Sequence, residues 1–501
     1  MEFLSCMLLL VLTFTLTQAL YSRVFRSSTK PKYKLPPGPD PLPIIGNLLA
    51  LGKKPHQSLA DLAKVHGPIM TLKLGQVTTI VVSSPDLAKE VLLTHDHSLS
   101  EYRATPEAVK AHDHHKYGMA FMPVSSRWRE LRKICNSELF SPKSLDTSQD
   151  LRREKLQELL HDIHRCSLKG EAVGIGKVAF KSVINMLSNT IFSLDLARSA
   201  VSAGDFKELV MSILEDSGKP NLADFFPVLK SVDPQGLKSR ISHSTGKIID
   251  IFHCLVNQRM KIREVQGFDT NKDMLSTLLN IAQGNNQMKG TQIEHLSLTI
   301  FIGGTETITS MIEWALAELL QNEKAMSKAK QEMEQIIGKG KPIEESDIAR
   351  LPYLQAVIKE TFRLHPPVPF LIPRKANANV KICGYTIPKD ARVLVNVWAI
   401  GRNSSFWENA NLFSPERFLD SEIDIKGHHY ELTPFGAGRR ICPGVPLAMR
   451  TLYLMLGSLV NCFDWKLEDG MSIDDMDMED KFGITLVKAQ PVRVIPLKIS
   501  N

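Results

Sequence analysis

The chain has 501 residues, of which 43% are hydrophobic and 23% are charged, and its formal net charge is +7. This composition is typical of a globular protein and excludes an intrinsically disordered chain. The basic residues are spread along the sequence and form no block with aromatic residues, which argues against a nucleic-acid-binding protein.

The first predicted element is an apolar segment at Phe3–Leu20, which has about the length that one helix needs to cross a bilayer. Only Glu2 precedes this segment and a group of basic residues follows it, which reverses the charge order of a cleaved signal peptide. The positive-inside rule then places the rest of the chain in the cytosol, where unpaired cysteines are usual. We therefore predict a transmembrane anchor at 1–22, a basic, proline-rich hinge at 23–43 and a globular domain at 44–501.

Short strand-like runs follow the hinge, and helical periodicity then dominates from about Pro85 to Ile336. The runs IMTLKLG and TTIVVSS have the alternating pattern of half-buried strands. Similar short runs, VKICGYTIP and ARVLVNVW, return in the last third of the chain. The sequence therefore predicts one large, mainly α domain with a small β part contributed by both ends of the chain.

One predicted helix is too apolar for a surface helix and too polar at its centre for a membrane span, so we expect it to cross the protein interior. It begins at a capping-box pattern, Thr291–Glu294, and continues to Asn322. Gly303 and Gly304 lie at its middle, where each glycine costs about 1 kcal/mol relative to alanine. This cost suggests that another group needs close approach to the helix backbone.

Glu306 and Thr307 follow the two glycines, at a place where the helix can bulge or kink. A carboxyl and a hydroxyl group there can relay protons into a dry pocket. In the structural alternative, the threonine hydroxyl bonds the carbonyl four residues earlier and the glutamate pairs elsewhere in the core. The sequence of this helix alone leaves both interpretations open.

The segment KETFR places Glu360 and Arg363 on one face of a helix that ends before Pro366, and Arg417 lies downstream in the loop segment SPERF. A buried glutamate shared by two arginines would form a strong bidentate network with an architectural role. The alternative is an exposed helix pair that contributes roughly a few tenths of a kcal/mol.

The segment FGAGRRICPG sets Cys442 among glycines and arginines. A thiolate is a soft metal ligand, and the backbone N–H groups of a tight glycine-rich loop can stabilise it. The seven cysteines include no CxxC pair, so the sequence supports neither an iron–sulfur cluster nor a four-ligand zinc site. A haem, which brings four nitrogen ligands of its own, needs only one protein ligand. The alternative is a buried structural cysteine.

Several donors could hold the two propionates of a haem. Arg440 lies two residues before Cys442 and would project to the same side as the cysteine side chain. Trp128 and Arg132 lie on one helical face and offer an indole N–H and a guanidinium to a carboxylate. Arg374, which follows the proline break, is a further candidate, although a solvated helix face would show the same pattern of arginines.

Together these segments resemble, in order and spacing and over the whole chain, the signatures of the cytochrome P450 superfamily of haem-thiolate monooxygenases. The segments that carry the resemblance are FGAGRRICPG, KETFR, PERF, GGTET, WRELR and PPGP. The chain is also similar to the plant microsomal subgroup that contains geraniol 8-hydroxylase, related terpenoid oxidases and tyrosine-hydroxylating members of pigment pathways.

The resemblance implies a haem b cofactor with Cys442 as the proximal iron ligand. It implies that Glu306 and Thr307 form the distal proton relay, and that Glu360, Arg363 and Arg417 form a structural triad. The implied cofactor contacts are Phe435, Trp128, Arg132, Arg374 and Arg440. The family usually has aspartate at position 306, and the subgroup often has alanine at position 303, so Gly303 predicts a slightly roomier pocket wall.

The resemblance also implies a substrate pocket, a redox partner and a location. The pocket residues would be Ile302, Gly303, Val368, Phe370, Phe482 and Ile484, together with the loop Tyr102–Phe121. The partner would be NADPH-cytochrome P450 reductase, with O2 as co-substrate, and the location would be the endoplasmic reticulum membrane. The pocket is nearly all apolar, which favours a greasy substrate over a charged one. In the loop, His112, His114 and His115 are predicted to be solvated rather than to bind a metal.

We therefore predict hydroxylation of a small apolar plant metabolite, either a monoterpenoid such as geraniol or another terpenoid. One alternative is a hydroxylase of tyrosine or another phenolic ring in pigment metabolism. Two alternatives of another class are a reductase-independent haem-thiolate isomerase or dehydratase and a non-catalytic haem protein. Neither of these needs an oxygen-activating proton relay, so the Glu306–Thr307 pair argues against both.

Overall fold

The computed structural model describes residues 13, 33–196, 203–267, 271, 273–284, 288–470 and 472–499. Apart from Thr13, the predicted anchor lies outside the described residues. Among the described residues, α17 (Val445–Cys462) is the helix that is long and apolar enough to cross a membrane, and it is mostly buried inside the domain.

The α-helices of the described residues pack as one body around a long central helix. In chain order they are α1 Pro55–His66, α2 Pro85–Lys89, α3 Asp96–Leu99, α4 His114–Tyr117, α5 Ser126–Ile134, α6 Pro142–Thr147, α7 Gln149–Lys169, α8 Ile175–Phe192, α9 Ala203–Gly218, α10 Leu222–Phe225, α11 Leu237–Gln266, α12 Met274–Gly284, α13 Gly290–Gln321, α14 Glu323–Ile336, α15 Pro352–Leu364, α16 Val397–Ile400 and α17 Val445–Cys462. The prediction of a mainly α protein is therefore confirmed.

The strands are short and come from both ends of the chain. In chain order they are β1 Ile69–Leu74, β2 Val77–Val82, β3 Tyr102–Arg103, β4 Val173–Gly174, β5 Arg374–Lys375, β6 Val380–Ile382, β7 Tyr385–Ile387, β8 Arg392–Val395, β9 Phe463–Leu467, β10 Asp480–Lys481, β11 Val487–Lys488 and β12 Arg493–Lys498. The predicted strand-like runs correspond to β1, β2, β6, β7 and β8.

The largest sheet has the strand order β1-β2-β8-β5-β3. Strands β2 and β8 are parallel, with Val82 opposite Val395, and the other pairs are antiparallel. Valine and isoleucine fill the buried face of the sheet, where their branched side chains pack well. This sheet joins the start of the domain to its last third, and its β3–β5 edge brings Arg103 opposite Arg374.

Helix α13 crosses the interior, as its apolar composition predicts, and packs against α8, α11, α15 and α17. Phe301 of α13 contacts Phe192, Phe206 and Phe252, with ring centroids 5.3–6.3 Å apart. Gly304 permits close packing on α8, since a Cβ there would lie 3.1 Å from the Leu187 side chain. The core therefore surrounds the helix that carries the predicted proton relay.

The predicted start of this helix is wrong in detail. The helix begins at Gly290, and its N-cap Lys289 has no side-chain cap hydrogen bond. The Glu294 carboxylate instead lies 2.8 Å from His253 Nδ1 on α11, so tertiary packing takes the group that the capping box would need. The helix also continues unbroken through Gly303 and Gly304.

The second half of the predicted hinge is part of the globular body. The Thr71 N–H donates to the Pro37 carbonyl at 2.8 Å, and the Thr386 N–H donates to the Lys34 carbonyl at 2.8 Å. A Cβ on Gly38 would lie only 1.9 Å from the Thr71 carbonyl oxygen, so only glycine permits this approach. Residues 34–43 are therefore docked on β7 and β1 and do not form a free joint.

Candidate active site

Cys442 lies at the end of the glycine-rich loop that precedes α17. Its N–H donates to the Phe435 carbonyl at 3.0 Å and closes the loop. The Cys442 side chain is exposed although many protein atoms surround it, which is the combination expected of a residue on a cavity wall. Burial raises the pKa of the Cys442 thiol, and the N–H groups of Gly444 and Val445 and the Arg132 guanidinium oppose this change.

The glycines of the loop are required by its geometry. Gly436 and Gly438 have φ values of +71° and +69°, a region that favours glycine. A Cβ on Gly438 would also lie 2.3 Å from the Leu92 carbonyl oxygen. The Phe435 ring packs edge-on against Phe362 of α15, with centroids 5.0 Å apart. The loop is therefore held tightly between its neighbours.

Three arginines converge near this loop. Arg103 and Arg374 are directly opposite each other in the β3–β5 pair. Burial, followed by repulsion from Arg374 and Arg440, lowers the pKa of Arg103 well below its usual range. Burial and the nearby Arg374 lower the pKa of Arg440 to about 10. Asp96 is the opposing carboxylate, and it is shared by Arg374 at 3.3 Å and by Arg439.

This cluster has more positive than negative charge, which fits a cofactor that carries two carboxylates. The Arg103 Nε atom is buried without a hydrogen-bond partner among the described atoms. An accessible but enclosed sulfur, amide groups directed at it and one orphaned guanidinium donor on Arg103 together match the needs of a haem with one thiolate ligand. The described residues therefore fit the haem that the sequence predicts.

Trp128 and Arg132 lie on α5, as predicted, and both reach the site region. The Trp128 indole N–H donates to the Met119 carbonyl at 3.1 Å, and the Arg132 guanidinium donates to the Ile441 carbonyl, next to Cys442. The Arg440 guanidinium lies over the Trp128 ring, 5.0 Å from its centroid. The structure thus brings Trp128, Arg132 and Arg440 together, while their contact with propionates remains a prediction.

Thr307 and Glu306 lie at the middle of α13. The Thr307 hydroxyl donates to the Gly303 carbonyl at 2.7 Å, which is the back-bonded arrangement given above as the structural alternative. Gly303 is exposed at mid-helix, and a Cβ on it would meet no atom within 4 Å, so it faces open space. Burial raises the pKa of Glu306, and a hydrogen bond with Thr485 opposes the rise. A back-bonded hydroxyl still has lone pairs that can accept, so the two interpretations are compatible.

Glu360, Arg363 and Arg417 form one network. Glu360 and Arg363 are fully buried and make two parallel bonds, at 2.6 and 2.7 Å, and Arg417 Nε donates to Glu360 Oε1 at 3.0 Å. The Ser414 N–H donates to the same oxygen at 2.8 Å. Arg363 also donates to backbone carbonyls of the loop that follows α16, including that of Gly401 at 2.5 Å. The network ties α15 to the long segment between α16 and α17 at several points.

The six predicted pocket residues share one property. Each keeps accessible surface, whereas neighbours of the first two such as Phe301 and Thr305 are buried. The six are Ile302, Gly303, Val368, Phe370, Phe482 and Ile484. Phe370 and Phe482 are in contact edge to face, with centroids 5.9 Å apart. This combination is typical of side chains that line a cavity.

The histidine segment of the loop is only partly solvated. His112 is exposed, and its Nε2 lies 2.8 Å from the Ser242 carbonyl oxygen. His114 is inserted against α13, with its Nδ1 3.0 Å from Nδ1 of His295, so the prediction of a solvated loop is wrong for this residue. Burial lowers the pKa of His114 to about 3 and that of His295 to about 4. In the described part of the chain, no group of three or more potential ligands could hold a metal ion.

Sequence analysis did not identify Arg103 or Asp96. Arg103 lies in the loop that was assigned to the pocket, and a basic residue in an otherwise apolar lining was the signal available. Its position opposite Arg374 depends on two-residue strands that have no sequence pattern of their own. Asp96 carried no signal, because short polar segments before a strand are common.

Comparisons with known proteins match almost the whole chain. The family model described as Cytochrome P450 matches residues 36–494. The chain is 51% identical to geraniol 8-hydroxylase of Catharanthus roseus over 498 residues, which is 99% of each chain. It is 50% identical to drimenol monooxygenase of Persicaria hydropiper over 476 residues, and 48% identical to 7-ethoxycoumarin O-deethylase of Helianthus tuberosus over 474 residues. These alignments cover 94% or more of each chain.

Proposed function

Since the chain belongs to the cytochrome P450 family, it is a haem-dependent monooxygenase, and we propose that it hydroxylates a monoterpenoid such as geraniol or another small terpenoid. The family implies a reductase that supplies electrons, and O2 as the second substrate. The proposed substrate class rests on the character of the pocket residues and on the activities for which two relatives are named, geraniol 8-hydroxylase and drimenol monooxygenase.

The observation that carries the proposal is the uncharged, partly accessible set of pocket residues defined above. None of the six is charged or polar in its side chain, and two are phenylalanines in mutual contact. A charged substrate group buried among them would lack a partner and would be costly to desolvate. A substrate with an apolar chain and a single hydroxyl group would pack against these side chains at a lower desolvation cost than an amino acid would.

The cofactor contacts follow from the site described above. Cys442 would hold the haem iron, and Arg103, Arg132, Arg374 and Arg440 are the cations that would face its carboxylates. When bound, the haem supplies the activation of O2 and the insertion of one oxygen atom into a C–H bond. The chain supplies position, exclusion of water and charge.

The protons would come through α13. The Thr307 hydroxyl, fixed on the Gly303 carbonyl at 2.7 Å, faces the open space beside Gly303 and can accept and pass on a proton there. Because burial raises the pKa of Glu306, its carboxyl group keeps a proton to a higher pH than an exposed glutamate does. Glu306 would therefore act as the proton reservoir behind Thr307.

The proposal includes an anchor at 1–22, a connecting segment within 23–43 and a cytosolic, haem-binding domain at 44–501 on the endoplasmic reticulum. Electrons would come from NADPH through NADPH-cytochrome P450 reductase. Support for the docking face comes from α5, where Arg129 and Lys133 are exposed on the same helix whose Arg132 contacts the Cys442 loop. Such cations suit an acidic partner surface.

A second candidate function is oxidation of a phenolic or other aromatic substrate, including tyrosine. One relative is named for a reaction on 7-ethoxycoumarin, and the phenylalanine pair of the pocket could pack against an aromatic ring. The uncharged lining favours a neutral aromatic substrate over tyrosine.

The test uses membranes that contain the full chain and a plant reductase. Geraniol, tyrosine and 7-ethoxycoumarin are offered side by side, with Cys442→Ser and omission of NADPH as controls. We expect NADPH-dependent hydroxygeraniol, and none with either control. Hydroxylated tyrosine without hydroxygeraniol would overturn the proposed substrate class, and product without NADPH would indicate the isomerase class.

A further inference from the structure

Two of the pocket residues lie on one short hairpin. Strands β10 and β11 pair antiparallel, and residues 482–486 between them carry Phe482 and Ile484. The far end of this loop is fixed at Leu486, whose N–H donates to the Pro367 carbonyl and whose carbonyl accepts from the Ser310 hydroxyl, both at 2.7 Å. The position of Phe482 therefore depends on how the near end, at Asp480, is held.

Asp480 is held by the start of α1, more than 400 residues away in the sequence. His56 Nε2 lies 3.0 Å from Asp480 Oδ2, Gln57 Nε2 lies 3.3 Å from the same oxygen, and Lys54 Nζ lies 3.2 Å from Oδ1. His56 is fully buried and the Asp480 side chain is 9% exposed. Burial raises the pKa of Asp480, but the contacts with His56 and Lys54 outweigh it and bring the pKa to about 2.

The same histidine contacts Phe482 directly. The two rings are stacked, with centroids 5.7 Å apart and planes 12° apart. The other neighbours of His56 are fixed: its ring meets Trp398 edge to face at 5.1 Å, and its carbonyl accepts from Asn396 Nδ2 at 3.0 Å. Phe482 in turn contacts Phe370, so a continuous row of rings runs from α1 into the pocket wall.

We propose that His56 is a positioning residue for the substrate pocket, which acts through its bond to Asp480 and its stacking on Phe482 and thereby helps to set which carbon of the substrate is oxidised. This inference rests on the proposed function for the assignment of Phe482 and Ile484 to the pocket. It gives a role in selectivity to a residue far from the cofactor-binding loop in the sequence.

The two contacts of His56 can be separated by substitution. His56→Gln keeps a donor for Asp480 but removes the stacked ring, whereas His56→Phe keeps the ring and removes the donor. Asp480→Asn removes the negative charge of the residue that His56 contacts, and it leaves the His56 side chain intact. His97→Gln is the matched control, since His97 is exposed and, among the described residues, its side chain makes no hydrogen bond or ion pair with the hairpin.

The first measurement is amide hydrogen exchange of the full-length, purified chain. We expect exchange in residues 480–488 to rise about tenfold in His56→Gln and His56→Phe, with the rest of the domain unchanged. Asp480→Asn should show the same local rise, and His97→Gln should show none. An unchanged hairpin in all three variants, or a rise spread over the whole domain, would overturn the proposal.

The second measurement is the ratio of the positional products from geraniol in reductase-containing membranes. We expect this ratio to change at least about threefold in His56→Gln and His56→Phe, a size typical of small shifts in a hydrophobic pocket. If amide exchange in the hairpin rises but the product ratio is unchanged, His56 has only a structural role and the proposal is wrong. If the parent chain oxidises none of the offered substrates, the proposed function fails, while the exchange experiment still decides whether His56 holds the hairpin.

Discussion

Two buried glutamates of this chain are in opposite situations. Glu360 has two arginines and a backbone N–H on its carboxylate, and the arginine paired with it is equally buried. Glu306 is also largely enclosed, but the described contact of its carboxylate is the Thr485 hydroxyl, with Lys481 and Glu215 at longer range. One carboxylate is thus fully neutralised, and the other is not.

This difference separates architecture from chemistry. A carboxylate with two cations and fixed donors has no reason to change its protonation state, and it holds the loops that contact it. Burial destabilises the charged form of a carboxyl group that has only a weak partner. Such a group, with open space nearby, exchanges a proton more readily near the working pH. We therefore expect substitutions at Glu360 to affect folding, and substitutions near Glu306 to affect proton delivery.

The largest effect should come from Glu360→Gln. Breaking a buried ion pair leaves Arg363 with an uncompensated charge and costs about 3–5 kcal/mol. We expect little folded, haem-loaded protein, measured by the carbon monoxide difference spectrum and by urea unfolding. Glu408→Gln is the control, because this glutamate is exposed in the same loop region. Normal haem content in Glu360→Gln would contradict the architectural role assigned to Glu360.

Thr307→Ala should come next, with intact folding but product formation per NADPH reduced about a hundredfold, the lower end of the range for a lost proton-transfer group. Thr309→Ala is the matched control, since its hydroxyl makes the same kind of back-bond, to the Thr305 carbonyl at 2.8 Å, but is buried. Product and NADPH consumption are measured together. Equal coupling in the two variants would remove Thr307 from the relay.

Glu306→Gln should reduce coupling but raise stability slightly. Burial raises the pKa of Glu306 in the folded chain above its unfolded value of about 4.3. The contribution of Glu306 to the free energy of unfolding is therefore fully present below about pH 4.3, and it is lost as the pH rises through the folded pKa. Near neutral pH, a glutamine at position 306 is uncharged, so the unfavourable burial of a charged group is removed. Unfolding temperatures between pH 4 and 7.5 should diverge with rising pH, with the variant higher. A variant that is less stable at neutral pH would contradict this sign.

The smallest effect should come from Gly303→Ala. A Cβ there meets no atom within 4 Å, and alanine favours the helix by about 1 kcal/mol, so the variant should be slightly more stable. The added methyl narrows the open space and should change product ratios by a few-fold, or about 1 kcal/mol. Gly304→Ala is the contrast, since its Cβ would lie 3.1 Å from Leu187. Identical behaviour of the two variants would mean that Gly303 does not line the cavity.

The fold class and the pairing of Glu360 with Arg363 could be predicted because both depend on strong local patterns. The i, i+3 spacing of Glu360 and Arg363, the glycines around Cys442 and the apolar length of α13 are all readable from short segments. Arg417 also lies on Glu360, but no local pattern links these two positions, and only the family resemblance implied their contact.

The rest depended on long-range packing. The capping box was wrong because His253, on a helix distant in sequence, binds Glu294. His114 was placed in solvent because nothing local signals its contact with His295. The row from His56 to Phe482 joins the first helix of the domain to its last hairpin, and no periodicity links such positions.

The arginines opposite each other in β3 and β5 have a consequence for the abundance of the protein. Mutual repulsion between Arg103, Arg374 and Arg440 works against folding, and the two carboxylates of the proposed haem would relieve it. The amount of folded chain in a cell should therefore follow the supply of haem. Inherited or engineered changes at these arginines would then first be seen as altered protein level and turnover, before any change in the product made.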